Sequence, residues 1–287
     1  MILFPALFLS RLFKTGKMIG NHAAIINGCS YAIRSGNKIV FEATRVAETM
    51  KRDIYLIDIW GGVRGYTEAL KDIMCYTGAD YVVGIDVGGD VLAMGDEDEL
   101  WSPLADAMGL AAIYDIGSST LMVYSPGADG ELPEEVVLER ISLIANMGGY
   151  LGSIGVRREY TKFYEKLLEN AHSEASRIGL LALKGFYGVK SIRSRTRKIS
   201  VSPVNTIVFI LAPEPALNIS KPAQLVRNTE SFVEAWRKLR ENGIATEYDL
   251  ENAILEYSRR AGKDPRRLSA SEIIRIKNHL WKTVKDK

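Results

Sequence analysis

The residues with the clearest chemical potential are carboxylates set among glycines. Asp86, Gly88, Gly89 and Asp90 fall together in the run DVGGD, and Asp129, Gly130 and Glu131 close the run SPGADGE, which also holds Gly127. Glycine lets a backbone approach a ligand closely and adopt positive φ. Carboxylate oxygens suit hard cations such as Mg²⁺ or Mn²⁺. Backbone N–H groups ahead of a helix can hold an anion, but four carboxylates would repel a bare phosphate. A divalent cation or a substrate amine resolves that conflict. Asp86, Asp90, Asp129 and Glu131 are therefore candidate metal or amine ligands. Gly88, Gly89, Gly127 and Gly130 are candidate close-approach backbone. Taken singly, each loop has a plainer account: Asp86 in a turn, and Asp129 with Glu131 favouring a helix N-terminus.

Ser102 precedes Pro103 and reads as a helix N-cap before a nucleophile, since no histidine is near it in sequence. It is retained as a ligand-binding candidate. Asp106, one helical turn on, faces the same cleft or solvent. Glu174, in the run HSEAS, is a candidate general acid or base alongside Asp106, although capping alone would account for it. Gly61 and Gly62 follow another apolar run and join the ligand-binding candidates. They do not form GxGxxG, and no acidic residue stands where a dinucleotide site needs one. Asp96 to Glu99 reads as a solvated loop, because consecutive acids cannot all point inward.

Charge distribution strengthens the cation argument. Residues 72–139 contain fifteen Asp and Glu and no Lys, Arg or His, whereas solvated acidic faces ordinarily interleave Lys. The opposite sign gathers in KSIRSRTRK, residues 190–198, a basic strand or loop that could pair with the acidic region or meet a phosphate. A net charge of +2 gives no global case for nucleic acid or a membrane surface. Three histidines and two distant cysteines provide no zinc pattern, and the cysteine usage points to a reduced, cytoplasmic compartment.

These residues must be positioned by regular elements. Apolar, β-branched runs at 54–59, 81–86 and 121–124 read as strands; helical spacing at 66–76, 103–113 and 133–147 reads as helices between them. Strands alternating with helices argue for a parallel sheet covered on both faces. The three Gly-containing loops would then lie beyond the carboxyl ends of the strands, where open α/β sheets bind ligands. Beyond residue 155 come amphipathic helices at 158–172 and 173–183, then strands at 198–201 and 206–211 forming a hairpin across Ser202-Pro203. Pro213 and Pro215 mark a boundary. Capping signals at Ser231, Thr246 and Ser269 open three further helices. The chain divides into a lead-in at 1–20, an α/β domain at 21–213, and a helical region at 214–287 packed on or beside it. The apolar run at 1–9 is too short to span a bilayer, and its charges follow it, unlike a secretory signal.

Several long runs carry a resemblance: GIDVGGDVLAMGDEDELWSPLADAMGLA, SPGADGELPEEVVLERI, HSEAS and IATEYDLEN. Together they resemble the uncharacterised, mainly archaeal family catalogued as domain of unknown function eleven fifty-two, over about residues 36–251. The resemblance implies a Rossmann-like, three-layer α/β fold with a parallel or mixed sheet, and no established activity comes with it. The chain departs from the family pattern at its start, where a strand, a Gly-rich turn, a Trp-Glu-Arg segment and a proline-rich loop are not found. It looks shortened there. The Asp86 loop is also similar, over about a dozen residues, to a motif of the D-glutamate cyclase family, and its DVGG turn to the phosphate loop of sugar kinases.

The sequence thus leads to the expectation of a small polar metabolite bound in an acidic, glycine-lined cleft with Mg²⁺ or Mn²⁺, where lyase, cyclase or hydrolase chemistry would fit. The rival expectation is a non-catalytic binding or scaffold protein that associates through its helical region. Either is compatible with a homo-oligomer.

Overall fold

The structure is a computed structural model and describes residues 13–14, 16–34, 37–193 and 195–285. The apolar run at 1–9 lies outside these. Twelve strands are described: β1 Phe13–Lys14, β2 Lys17–Ile19, β3 Ala23–Ile26, β4 Tyr31–Arg34, β5 Asn37–Ile39, β6 Ile54–Ile57, β7 Val82–Val87, β8 Ser119–Tyr124, β9 Tyr150–Gly155, β10 Gly188–Ile192, β11 Arg197–Val201 and β12 Ile207–Leu211. They form a mixed α/β structure with one four-stranded sheet in the order β7-β8-β12-β9 and three smaller sheets.

Among the described residues only β7 and β8 pair in parallel, with Val87 opposite Tyr124; β12 runs antiparallel to both β8 and β9. Two sequence expectations are corrected here. The run at 54–59 does not join the main sheet: β6 pairs antiparallel with β3, in a separate sheet with β2. The hairpin across Ser202-Pro203 does not form either. Instead β11 folds back on β10, and β12 enters the main sheet. The Ser202 and Asn205 side chains form a capping box over 203–206, and that turn redirects the chain.

The helix Pro103–Ile116 organises the main core. It is apolar on nearly every side, as a helix enclosed by neighbours must be. Leu104, Met108 and Ala111 are fully buried beside Leu121 and Val123 of β8 and Leu211 of β12. Val137 and Ile144 of the helix Glu134–Asn146 join this core, as do Phe232, Ala235 and Leu239 of the helix Phe232–Glu241. The helix Phe232–Glu241 therefore shares a core with the sheet, while the helices Glu247–Ala261 and Ala270–Lys285 pack on each other in a separate cluster of Leu250, Ile254, Ile276, Trp281 and Val284. On the other sheet face, a second cluster of Ala128, Ile178, Ile192 and Ile199 packs near Val87, while Val83 and Ile85 remain 44% and 64% exposed. The helix starts read from Ser231, Thr246 and Ser269 are present, with each hydroxyl accepting an N–H three residues on. Among the described residues, no helix is long and apolar enough to cross a membrane.

Candidate acidic site

The loops after β7 and β8 leave adjacent, parallel strands at their carboxyl ends, so they meet. Gly127 N–H donates to the Gly88 carbonyl at 2.6 Å, and Gly88 N–H donates to the Tyr124 carbonyl at 3.0 Å. Asp86 is the penultimate residue of β7 and accepts Gly89 N–H at 2.7 Å. Asp90 opens a short 3₁₀ turn, and Asp106 lies in the first turn of the Pro103–Ile116 helix. One carboxylate oxygen from each of Asp86, Asp90 and Asp106 lies within 4.8 Å of the other two. Asp90 is buried; Asp86 and Asp106 keep part of their surface open to solvent.

Asp129 and Glu131 sit against this trio in different ways. Asp129 Oδ1 accepts Glu131 N–H, while its Oδ2 is buried with no hydrogen-bond partner among the described residues. Glu131 is saturated. Its Oε2 accepts Trp101 N–H at 2.7 Å and Ser102 N–H at 2.8 Å; its Oε1 accepts Ser102 Oγ–H at 2.6 Å and lies 3.3 Å from Arg197 Nη1. Glu131 therefore ties three segments together and has no oxygen left over for a cation. Ser102 occupies the N-cap position, but its hydroxyl turns to Glu131 and does not cap the helix, a correction to the sequence reading. Glu247 takes over that task from the C-terminal region, accepting Leu104 N–H at 3.0 Å and Ala105 N–H at 2.8 Å.

The remaining candidates are placed elsewhere or play other parts. The positions a Cβ would take at Gly89, Gly127 and Gly130 are filled by Val137, by Glu134, and by Ile199 with Arg197. Those glycines serve close packing of the protein on itself. Gly61 and Gly62 pack against His22 and against the backbone of Thr229 and Ser231. Glu174 is exposed and accepts Arg193 N–H at 2.8 Å, which ties a helix start to the β10–β11 turn. Two contributors escaped the sequence reading. Glu247 had a usable signal, because Thr246 as N-cap puts it in a first helical turn. Arg197 lay inside the basic run, but nothing singled it out from its neighbours.

Gly88 has φ of 130°, and a Cβ there would lie 1.3 Å from Asp129 Oδ2. Gly88→Ala must strain the backbone and push a buried carboxylate aside. It is expected to cost about 3 kcal/mol in urea denaturation, and a loss near zero would show that the loop relaxes freely.

Burial, compounded by mutual repulsion, holds these carboxyls neutral above the usual range. Asp86 is pushed up to about 6 and Asp129 to about 8, with burial the main cause and Glu131 adding to it. Glu247 is pushed up to about 7 by burial. Asp90 and Asp106 are raised well above the ordinary value, first by burial and then by neighbouring carboxylates. In the unfolded chain all five titrate near about pH 4, so between about pH 4 and 8 the folded protein holds more protons than the unfolded one. The stability this gives is complete below about pH 4 and falls as pH rises, until it is lost for Asp86, Glu247 and Asp129 at about 6, 7 and 8. Melting in EDTA is expected to show a lower Tm at pH 8 than at pH 5.5; a flat or rising Tm would contradict it.

A family model described as "Protein of unknown function (DUF1152)" matches residues 9–255. No curated protein and no solved structure matches the chain. The matched span covers both acidic loops, the Pro103–Ile116 helix and Glu247, so the acidic site lies wholly inside it, and the chain belongs to the DUF1152 family of proteins of unknown function.

Proposed function

We propose that this chain binds a small polar metabolite together with a divalent cation, Mg²⁺ or Mn²⁺, held by Asp86, Asp90 and Asp106. The observation that carries the reading is the approach of those three carboxylates to within 4.8 Å. Like charges so close, and partly removed from water, must be protonated or neutralised by a cation. Oxygen donors in this number suit a hard ion that keeps some coordination positions for water or substrate. The Oδ2 of Asp129 gives independent support: it is a buried acceptor with no hydrogen-bond partner among the described residues.

Lyase, cyclase or hydrolase chemistry fits such a site, because a bound cation polarises a substrate oxygen. Asp129, with a carboxyl raised to about 8, is better placed than Glu174 to hold or move the proton such a reaction needs. We also read the unit β7, helix Pro103–Ile116, β8 as part of a Rossmann-like layered fold. Its support is the parallel pair joined through a helix, with the acidic loops at the carboxyl ends of the strands. A cytoplasmic location and a homo-oligomeric state belong to the same proposal.

Calorimetric titration of the purified chain with Mg²⁺ and Mn²⁺ tests the reading. One saturable site is expected, with affinity rising between pH 6 and 8 as protons are displaced. Absence of saturable binding of either ion at pH 8 would sink it and leave the non-catalytic scaffold as the better account.

A further inference from the structure

Arg197 opens β11 and lies beside the acidic group, only 5% exposed. Its Nη1 donates to the Asp129 carbonyl at 2.9 Å and faces Glu131 Oε1. The Trp101 ring lies against its guanidinium plane at 4.4 Å. These contacts occupy one nitrogen and one face. Nε and Nη2 are both buried, and neither has a hydrogen-bond partner among the described residues.

Those two nitrogens are not an arbitrary pair. In a guanidinium, Nε–H and the adjacent Nη2–H point in the same direction and form a flat fork that matches two oxygens of one carboxylate or phosphate. Buried N–H groups are rarely left without acceptors, and a whole fork of them has the shape that an oxyanion accepts from. Its setting is continuous with the cation site. Glu131 Oε1 accepts from Ser102 Oγ, which lies 3.5 Å from Asp90 Oδ2. A second cation, Arg193, stands 4.0 Å from Glu131. Arg193 and Arg197 of the basic run thus bring positive charge to Glu131 and Asp129 of the second acidic loop.

We propose that the metabolite bound here carries an oxyanion, a phosphate or a carboxylate, gripped by the Nε/Nη2 fork of Arg197 and shared with the divalent cation at Asp86, Asp90 and Asp106. This rests on the cation reading above. It explains how a negatively charged ligand enters a cleft rich in carboxylates: the cation offsets the repulsion, and the fork sets the orientation. Ser102 and Glu131 position Arg197 and do not themselves touch the anion.

Inorganic phosphate and acetate, titrated separately into the full chain with and without saturating Mg²⁺, test the proposal on wild type and Arg197→Lys. Lysine keeps the charge facing Glu131 and loses the fork. At least one anion is expected to bind wild type, more tightly with Mg²⁺ present, and Arg197→Lys is expected to weaken it about tenfold or more. Mg²⁺ affinity itself should move by less than about threefold, which a merely structural role for Arg197 would not allow. Preference for phosphate names a phosphate ester as the class of ligand; preference for acetate names a carboxylic acid. Mg²⁺ binding with neither anion bound, or an anion bound equally well by Arg197→Lys, overturns the proposal and leaves the cation site standing. Failure of Mg²⁺ to bind sinks the cation reading by itself; anion binding that still depends on Arg197 would then support the fork, and its absence would overturn that too. If Arg197→Lys does not fold, Arg197→Gln is read by the same titrations.

Discussion

Asp90→Asn is expected to weaken Mn²⁺ binding about 100-fold while raising the melting temperature of the cation-free protein. Both effects follow from one carboxylate. Asp90 is 7% exposed, and its carboxyl is raised by burial and then by Asp106, Asp129, Glu131 and Asp86. Asparagine keeps the shape and removes the charge. Direct ligands matter at least as much as their supporting partners, whose loss typically costs 10- to 100-fold in metal affinity, hence about 100-fold here. Without a cation the same change removes a buried carboxyl that folding must hold protonated against its neighbours, worth about 1 kcal/mol near pH 8, or roughly 2–4 °C in a chain of this size. Calorimetry for the first effect and melting in EDTA for the second check the pair. Wild-type affinity would remove Asp90 from the ligand set. A lower Tm would mean that Asp90 contributes contacts whose loss outweighs the repulsion.

Glu131→Ala is expected to cause the largest loss of stability of any single change near the site, about 3–5 kcal/mol. The carboxylate has no exposed side-chain surface and holds Trp101 N–H, Ser102 N–H, Ser102 Oγ–H and Arg197 together. Its removal strands two backbone donors and leaves the Arg197 guanidinium without its ion-pair partner. Glu131→Gln retains an acceptor for the backbone donors and should cost less than half as much. Urea denaturation of both variants distinguishes them. A loss below about 1 kcal/mol for Glu131→Ala would show that these contacts contribute little.

The legible part of this protein was local. Pro103 at a helix start and the capping serines and threonine act on their own neighbours, so their sequence signals survive folding. The meeting of the loops that carry Asp86 with Asp90 and Asp129 with Glu131 was readable because a parallel strand pair brings its carboxyl-end loops together. What failed was long range. The run at 54–59 looks like a buried parallel strand, yet pairs with 23–26, since an apolar strand carries no label for its partner. The strand Tyr150–Gly155 passed unnoticed because its glycines and serine weaken a β pattern that neighbours in the sheet supply instead. Glu131 looked like a ligand from its loop, but its oxygens are claimed by Trp101 and Ser102, about thirty positions back, and by Arg197, far ahead. Glu247 lies further still from the helix it caps. Such assignments depend on which segments meet, and residue type and spacing do not encode that locally.

Crystals of the chain soaked in Mn²⁺ and measured at a wavelength where manganese scatters anomalously would locate a cation held by the three carboxylates. A single strong anomalous peak is expected among Asp86, Asp90 and Asp106, within direct coordination distance of at least two of them. A well-ordered site with no peak there, or with manganese held only at surface carboxylates such as Asp96 or Asp98, would contradict it.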